Sequence, residues 1–148
     1  MARAVRADKL ALAALAATLT LYLKEQALTD IPVWRMIGRS LAAISDEAGD
    51  WAAQLQEQGI EAETLPGEST VGGGSLPGTT LPTRLVAIAH PDVERFGAAL
   101  RLSNPPVIGR IQDGRFLIDP RTVLLRPGGN AVGRPHHVVC DRNLTAFP

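Results

Sequence analysis

The residues able to hold an anion or a metal lie in three places in this 148-residue chain. Arg3 and Arg6 stand near the start, with Asp8 and Lys9 just after them. A guanidinium stays charged and presents a planar fork that binds phosphate oxygens two at a time, so a pair of arginines is a candidate phosphate clamp. Residues i and i+3 of an extended chain do not share a face by simple alternation, so the two reach one anion only through a kink or with a second subunit closing the site. The competing reading is a solvated basic terminus. Three consecutive glycines, Gly72, Gly73 and Gly74, form a candidate active-site loop that backbone or ligand can approach closely. His136, His137 and Cys140 are metal-ligating types, but a structural zinc site needs four ligands and a catalytic one three plus water. His90 is remote in sequence, so no metal is assigned.

The glycine stretch fits neither common phosphate loop. Gly73 and Gly78 have the spacing of a P-loop, but Thr79 stands where its lysine belongs. A dinucleotide fingerprint starting at Gly72 and Gly74 would need a glycine at Pro77. Pro77 fixes its own φ and biases Leu76 toward an extended shape, so composition alone describes a shaped turn beside a strand.

Two long helical patterns precede this loop, and short strands and one helix follow it. Asp8 can cap a helix over Leu10 to Leu23, where Leu12, Leu15, Leu19 and Leu23 recur at helical spacing among alanines. Small alanines allow close packing on both sides, as suits a helix laid across a domain junction. Asp30-Ile-Pro32 starts a second helix that continues through Ile37, Leu41, Ile44, Ala48, Trp51 and Leu55 to a cap at Gly59. Arg39, Asp46, Glu47 and Asp50 are placed off its apolar face, and Trp51 within its core stripe. Short strands are expected at Ile60 to Leu65 and Arg84 to Ala89, with a helix over Pro91 to Arg101. Val107 to Ile111 and Arg115 to Ile118 flank Gln112-Asp113-Gly114, a hairpin signal. The fold class is α/β: two long helices, then a small, mostly antiparallel sheet with one helix. Arg110 and Arg121 are weaker site candidates, since pairing with Asp113 or Asp119 explains them as well. After Leu124 the periodicity stops, and residues 124–148 read as an irregular, poorly ordered tail.

Formal net charge is zero and 45% of residues are hydrophobic. That balance fits one globular domain and makes no case for a nucleic-acid surface. The single cysteine excludes an internal disulfide and fits a reducing cytoplasm. Arg3, Arg6 and Lys9 before an apolar run imitate a secretory signal. The run is short of the 20 or so residues of a membrane span, and the bulky, charged Tyr22-Leu-Lys-Glu-Gln26 offers no cleavage site.

Three stretches together resemble the bacterial L-seryl-tRNA(Sec) selenium transferases, the selenocysteine synthases. They are Arg3-Ala-Val-Arg-Ala-Asp-Lys9 with the helix after it, Val71-Gly-Gly-Gly-Ser-Leu-Pro-Gly78 with Leu81-Pro82, and Pro105-Pro-Val-Ile-Gly-Arg-Ile-Gln-Asp-Gly-Arg115 with Asp119-Pro-Arg-Thr-Val123. They occur in family order over about residues 2 to 123 and cover only the family's C-terminal part. The resemblance implies residues 1–123 as the C-terminal domain of a fold type I, pyridoxal 5'-phosphate enzyme that makes selenocysteinyl-tRNA(Sec) from seryl-tRNA(Sec) and selenophosphate. It implies a homo-oligomer, a large domain missing from this chain, and a role for Arg3 and Arg6 in holding the phosphate-like part of the selenium donor. The cofactor lysine of the family lies in an Asp-Lys-Leu-Leu-Gly-Gly-Pro-like motif. Asp8-Lys9-Leu10 imitates its first letters, but Ala11-Leu12 follows, so Lys9 is read as a solvated helix-start lysine and the chain alone as inactive. The family ends soon after the Asp-Pro-Arg-Thr-Val-like strand, so the residues beyond 123 depart from it. Two rival readings remain: a stand-alone, non-catalytic interaction module, and a domain of a related pyridoxal-phosphate lyase acting on a small amino acid.

Overall fold

A computed structural model of the chain describes residues 7–71 and 78–123. Arg3, Arg6, the glycines at 72 to 74, and the segment 124–148 with His136, His137 and Cys140 lie outside the described residues. The chain divides after Gly38 into two compact units.

The first unit holds α1 (Lys9–Leu23), α2 (Ala27–Asp30) and α3 (Pro32–Ile37). Asp8 caps α1, its carboxylate accepting from the Ala11 amide at 2.7 Å, which satisfies one of the first-turn donors that a helix leaves without a partner. The helix ends where Glu25 adopts a positive φ of 57°, and the Gln26 amide then donates back to the Leu21 carbonyl, the usual geometry of a left-handed helix stop. The Trp34 indole donates to the Tyr22 hydroxyl, tying α3 to the end of α1. None of the described residues of this unit is buried.

The second unit contains α4 (Leu41–Glu57), β1 (Ala62–Thr70), β2 (Thr80–Ala89), α5 (Val93–Arg101), β3 (Arg110–Gln112), β4 (Arg115–Ile118) and a 3-10 turn over Pro120–Thr122. The helix expected to run unbroken from Pro32 to Leu55 is interrupted at Gly38, Arg39 and Ser40. Ser40 is extended and its hydroxyl accepts from the Ala43 amide, starting a fresh helix. A side-chain oxygen that can cap, placed next to a glycine, competes with helix continuation. Glu47 also departs from the sequence expectation, since it lies buried in the stripe with Ile44, Ala48, Trp51 and Leu55.

The four strands form one antiparallel sheet in the order β1-β2-β4-β3. β1 is longer than expected and pairs with β2 without a slip from Ala62 opposite Ile88 to Thr70 opposite Thr80. Pro66 is tolerated within it because β1 is an edge strand. The β3–β4 turn places Asp113 at φ 52° and Gly114 at φ 71°, the two successive positive values that a two-residue turn needs to match strand twist.

Strand alternation divides the sheet into two faces. Val86, Ile88, Phe116 and Ile118 pack with Trp51 and Leu55 of α4 and Phe96 and Leu100 of α5 into the main core. Phe96 meets Phe116 edge to face, with centroids 5.5 Å apart and planes at 85°, a favoured aromatic geometry. Leu85, Ala87 and Leu117 form a smaller cluster with Leu65. Gly109 leads into β3 where a Cβ would stand 2.5 Å from both the Leu117 carbonyl oxygen and the Phe116 ring, so the strand can dock only with a glycine there.

Two substitutions test this packing by denaturant unfolding. Trp51→Ala removes a side chain that is 1% exposed and is expected to cost about 3–5 kcal/mol. Gly109→Ala is expected to cost about 1–3 kcal/mol through overpacking. An unchanged midpoint for either would contradict the packing described.

Candidate functional site

Both feet of the glycine-rich loop are fixed by one carboxylate. Asp119 follows β4 and begins the 3-10 turn. Its Oδ2 accepts from the Ser69 hydroxyl at 2.6 Å, and its Oδ1 accepts from the Thr83 hydroxyl at 2.8 Å and the Arg121 amide at 3.0 Å. Ser69 lies near the end of β1 and Thr83 near the start of β2, so the acid spans the strands that the loop joins. Nearer the loop, the Val71 amide donates to the Thr79 carbonyl at 3.0 Å. Gly78, on the returning side, has a φ of 81°.

Arg121 is 4% exposed. Its Nη2 donates to the Pro82 carbonyl at 2.7 Å and its Nη1 to the Arg39 carbonyl at 3.1 Å. Burial pushes its pKa below the usual arginine value, neighbouring Asp119 raises it, and Arg39 lowers it again. Arginine starts so high that the group stays charged at neutral pH. Arg39 returns the contact, donating from Nη1 to the Pro120 carbonyl at 2.7 Å, and it is ion-paired through Nη2 with Glu47 Oε2. Glu47 Oε1 is buried without a hydrogen-bond partner among the described residues. Two arginines and two acids thus join α4, β1, β2 and the 3-10 turn.

Such a network is stabilising only as a whole, because removing one partner leaves another charge buried without compensation. Its two hydroxyls, on Ser69 and Thr83, are buried and both are engaged by Asp119. The arrangement is therefore a clamp on the loop's stems, and Arg121 acts through backbone carbonyls rather than as a ligand-binding arginine. Asp119 neighbours it, accepting from its backbone amide and acting electrostatically on its guanidinium.

The other face of the sheet bears an open cleft of about 400 Å³, lined among others by Leu65, Gly67, Leu85, Arg110, Arg115 and Leu117. Arg115 is ion-paired with Glu63 across the sheet. Arg110 is exposed on edge strand β3 and has no ion pair with Asp113 or any other acid among the described residues. Glu68 and Asp113 also line the cleft, so its charge is mixed and selects no ligand sign. Lys9 and Lys24 sit exposed at the two ends of α1. His90 stacks on Phe96 at 4.8 Å, and no cluster of metal-binding side chains occurs among the described residues.

Sequence reasoning singled out the loop but missed the clamp. Ser69, Thr83 and Asp119 are far apart in the chain, and nothing in local spacing relates them. Besides the nearness of Arg121 to Asp119 in the chain, the available signal was Glu47, an acid at i+3 from Ile44 within an apolar stripe.

Asp119→Ala is expected to lower unfolding free energy by about 3–5 kcal/mol at neutral pH, as for one partner lost from a buried charge pair. Ser69→Ala and Thr83→Val should each cost about 1–2 kcal/mol. Urea unfolding measures all three, and an Asp119→Ala cost no larger than that of Ser69→Ala would contradict the hub.

Comparison with known proteins identifies the frame that carries this clamp. The family model described as L-seryl-tRNA selenium transferase matches residues 1–124. A relative named L-seryl-tRNA(Sec) selenium transferase from Geotalea daltonii is 46% identical over 127 residues, covering 82% of this chain and 28% of its own length. Relatives of the same name from Carboxydothermus hydrogenoformans and Aquifex aeolicus are 41% and 39% identical, over 84% and 83% of this chain and 28% of their own length. The chain therefore spans little more than a quarter of the curated relatives it matches. With the family model matched from residue 1 to residue 124, the chain belongs to the L-seryl-tRNA selenium transferase family.

Proposed function

We propose that this chain carries the C-terminal domain of a cytoplasmic enzyme that converts seryl-tRNA(Sec) to selenocysteinyl-tRNA(Sec) with selenophosphate as selenium donor. The observation that carries the reading is the family match across residues 1–124, which takes in the arginine pair, the glycine-rich loop and the hairpin together. The relatives' printed name supplies the tRNA substrate.

Pyridoxal 5'-phosphate, when bound, supplies the electron sink that lets the seryl β-hydroxyl leave. The described part of this chain is a poor fit for holding it. A Schiff-base lysine is activated by burial or by neighbouring charge, whereas Lys9 and Lys24, the only lysines, are both exposed at the ends of α1. The attachment lysine and the cofactor pocket are accordingly assigned to the larger part of a complete enzyme, and no step is routed through the cofactor here.

The contribution of this chain is binding and positioning. Arg3 and Arg6 hold the phosphate-like part of selenophosphate through charge-assisted hydrogen bonds. The Asp119 clamp holds the strands that flank Gly72, Gly73 and Gly74 in register. The complete enzyme is a homo-oligomer in which a second subunit helps to close the anion site around the two arginines.

Joining this chain in frame to the preceding part of the Geotalea daltonii relative tests the reading. The joined protein is expected to form selenocysteinyl-tRNA(Sec), and the 148-residue chain alone to form none and to show no Schiff-base absorbance with pyridoxal phosphate. Arg3→Ala or Arg6→Ala in the joined protein should raise KM for selenophosphate about ten- to a hundredfold, the loss of one charged hydrogen-bonded contact, with a smaller effect on seryl-tRNA. Product from the chain alone, or none from the joined protein, overturns the assignment.

A further inference from the structure

The sheet face opposite α4 and α5 carries the open cleft beside the β3–β4 hairpin. On β3, Arg110 and Gln112 belong to this face, because Ile111 between them packs against the main core. Register sets Arg110 opposite Leu117 and Gln112 opposite Arg115. Leu65 of β1 stands opposite Leu85 of β2, and with Leu117 these leucines form an apolar floor. Gly67 keeps the floor low. A Cβ there would stand 2.5 Å from Leu85 Cδ1, so the Leu85 side chain lies against bare β1 backbone. The rim is polar. Arg115 is pinned by its ion pair with Glu63, which fixes its guanidinium plane. Arg110 is exposed and has no ion pair among the described residues. Gln112 Nε2 lies 3.4 Å from Asp113 Oδ2, a contact long enough for a ligand to replace.

We propose that this cleft receives the 3′-terminal nucleotide of the seryl-tRNA, the adenosine that carries the serine. This rests on the functional reading above and names, within this chain, where that substrate ends. A lining of mixed charge suits neither a simple anion nor a simple cation. It suits a nucleotide, which joins a neutral ring with donors and acceptors to a single phosphodiester charge. Arg110 binds the phosphodiester through charge-assisted hydrogen bonds. The base lies over the leucine floor with its face on the Arg115 guanidinium, as unstacked bases do on arginine planes. Gln112 offers an amide that both donates and accepts, the pattern that pairs with adenine. Asp113 accepts from a ribose hydroxyl. The cleft holds about 400 Å³, within the roughly 300–1,000 Å³ of small-ligand sites. Formal net charge is zero, so the site takes one nucleotide rather than a run of phosphates. The seryl ester is held only as firmly as its adenosine, so this cleft positions the group that reacts. An arginine on an exposed edge strand also discourages strand pairing, but that role accounts for neither Gln112 beside it nor the floor below.

The test titrates the full 148-residue chain with the ribotrinucleotide CCA and follows backbone amide chemical shifts. Shifts centred on Gly67, Gln112, Gly114 and Leu117 are expected. Arg110→Ala should weaken binding about tenfold, the loss of one charged hydrogen-bonded contact, and Gln112→Leu should erase the preference for CCA over CCC. Both residues are exposed, so each variant should keep the wild-type unfolding midpoint, which separates lost binding from lost folding. In the joined protein, Arg110→Ala should raise KM for seryl-tRNA about tenfold and leave KM for selenophosphate unchanged. That is the reverse of the pattern expected for Arg3→Ala. No shifts with CCA, or shifts away from the cleft, overturn the proposal and leave the functional reading standing. Inorganic phosphate bound as tightly as CCA overturns it too, since the cleft is then a plain anion site. So does an unchanged KM for seryl-tRNA in a variant that no longer binds CCA, since the cleft then serves free nucleotides. A joined protein that makes no selenocysteinyl-tRNA(Sec) sinks the functional reading, while cleft shifts in the chain alone still support a nucleotide site.

Discussion

The second unit depends on burying the charge of Arg121 without leaving it uncompensated. A guanidinium almost wholly removed from water carries a large desolvation cost. The protein offsets it with the Pro82 and Arg39 carbonyls and the nearby Asp119 carboxylate. Those partners fix geometry elsewhere. Asp119 can face Arg121 only if β4 ends at Ile118, and Arg39 can present its carbonyl only if the chain leaves helical geometry before Ser40. One buried charge therefore sets the start of α4, the end of β4 and the spacing of the loop's stems.

The clamp also explains why a glycine-rich connection can be grafted onto so small a sheet. Fixing the backbone of a glycine-rich segment is entropically costly. Holding both stems by charge-assisted hydrogen bonds moves the burden of order onto Ser69, Thr83 and Asp119. The main core, centred on Trp51, Phe96 and Phe116, lies on the helix-covered face of the sheet and can be built independently of the loop.

Much of this fold was legible because the signals were local. Asp8 before an alanine- and leucine-rich run marked the start of α1. Asp113-Gly114 between two apolar runs marked the hairpin, and its positive φ values are the ones that turn requires. Trp51 fell where its stripe placed it. Non-local contacts decided the rest. Gly38 and Ser40 look tolerable within a helix until Arg39 is seen bonded to Pro120 and Glu47, residues 81 and 8 positions away. Glu47 was placed off the apolar face because its partner, Arg39, sits outside the helix. The clamp joins positions 69, 83 and 119, a relation that no periodicity encodes. The family resemblance singled out the arginine pair and glycine loop as candidates, which local physics alone left as a basic terminus and a turn; both lie outside the described residues.

The two units solve opposite problems. The second carries a core with charges neutralised internally, so its fold is specified by its own sequence. The first carries a well-capped helix of strong formers, with Asp8 at one end and a left-handed Glu25 stop at the other, yet buries none of its described residues. Propensity and capping can fix where such a helix starts and stops, but most helical stability in proteins comes from packing. A helix this apolar, left in water, would be selected against as an aggregation hazard. The local signals of α1 thus fix where the helix starts and stops without any burial of its described residues.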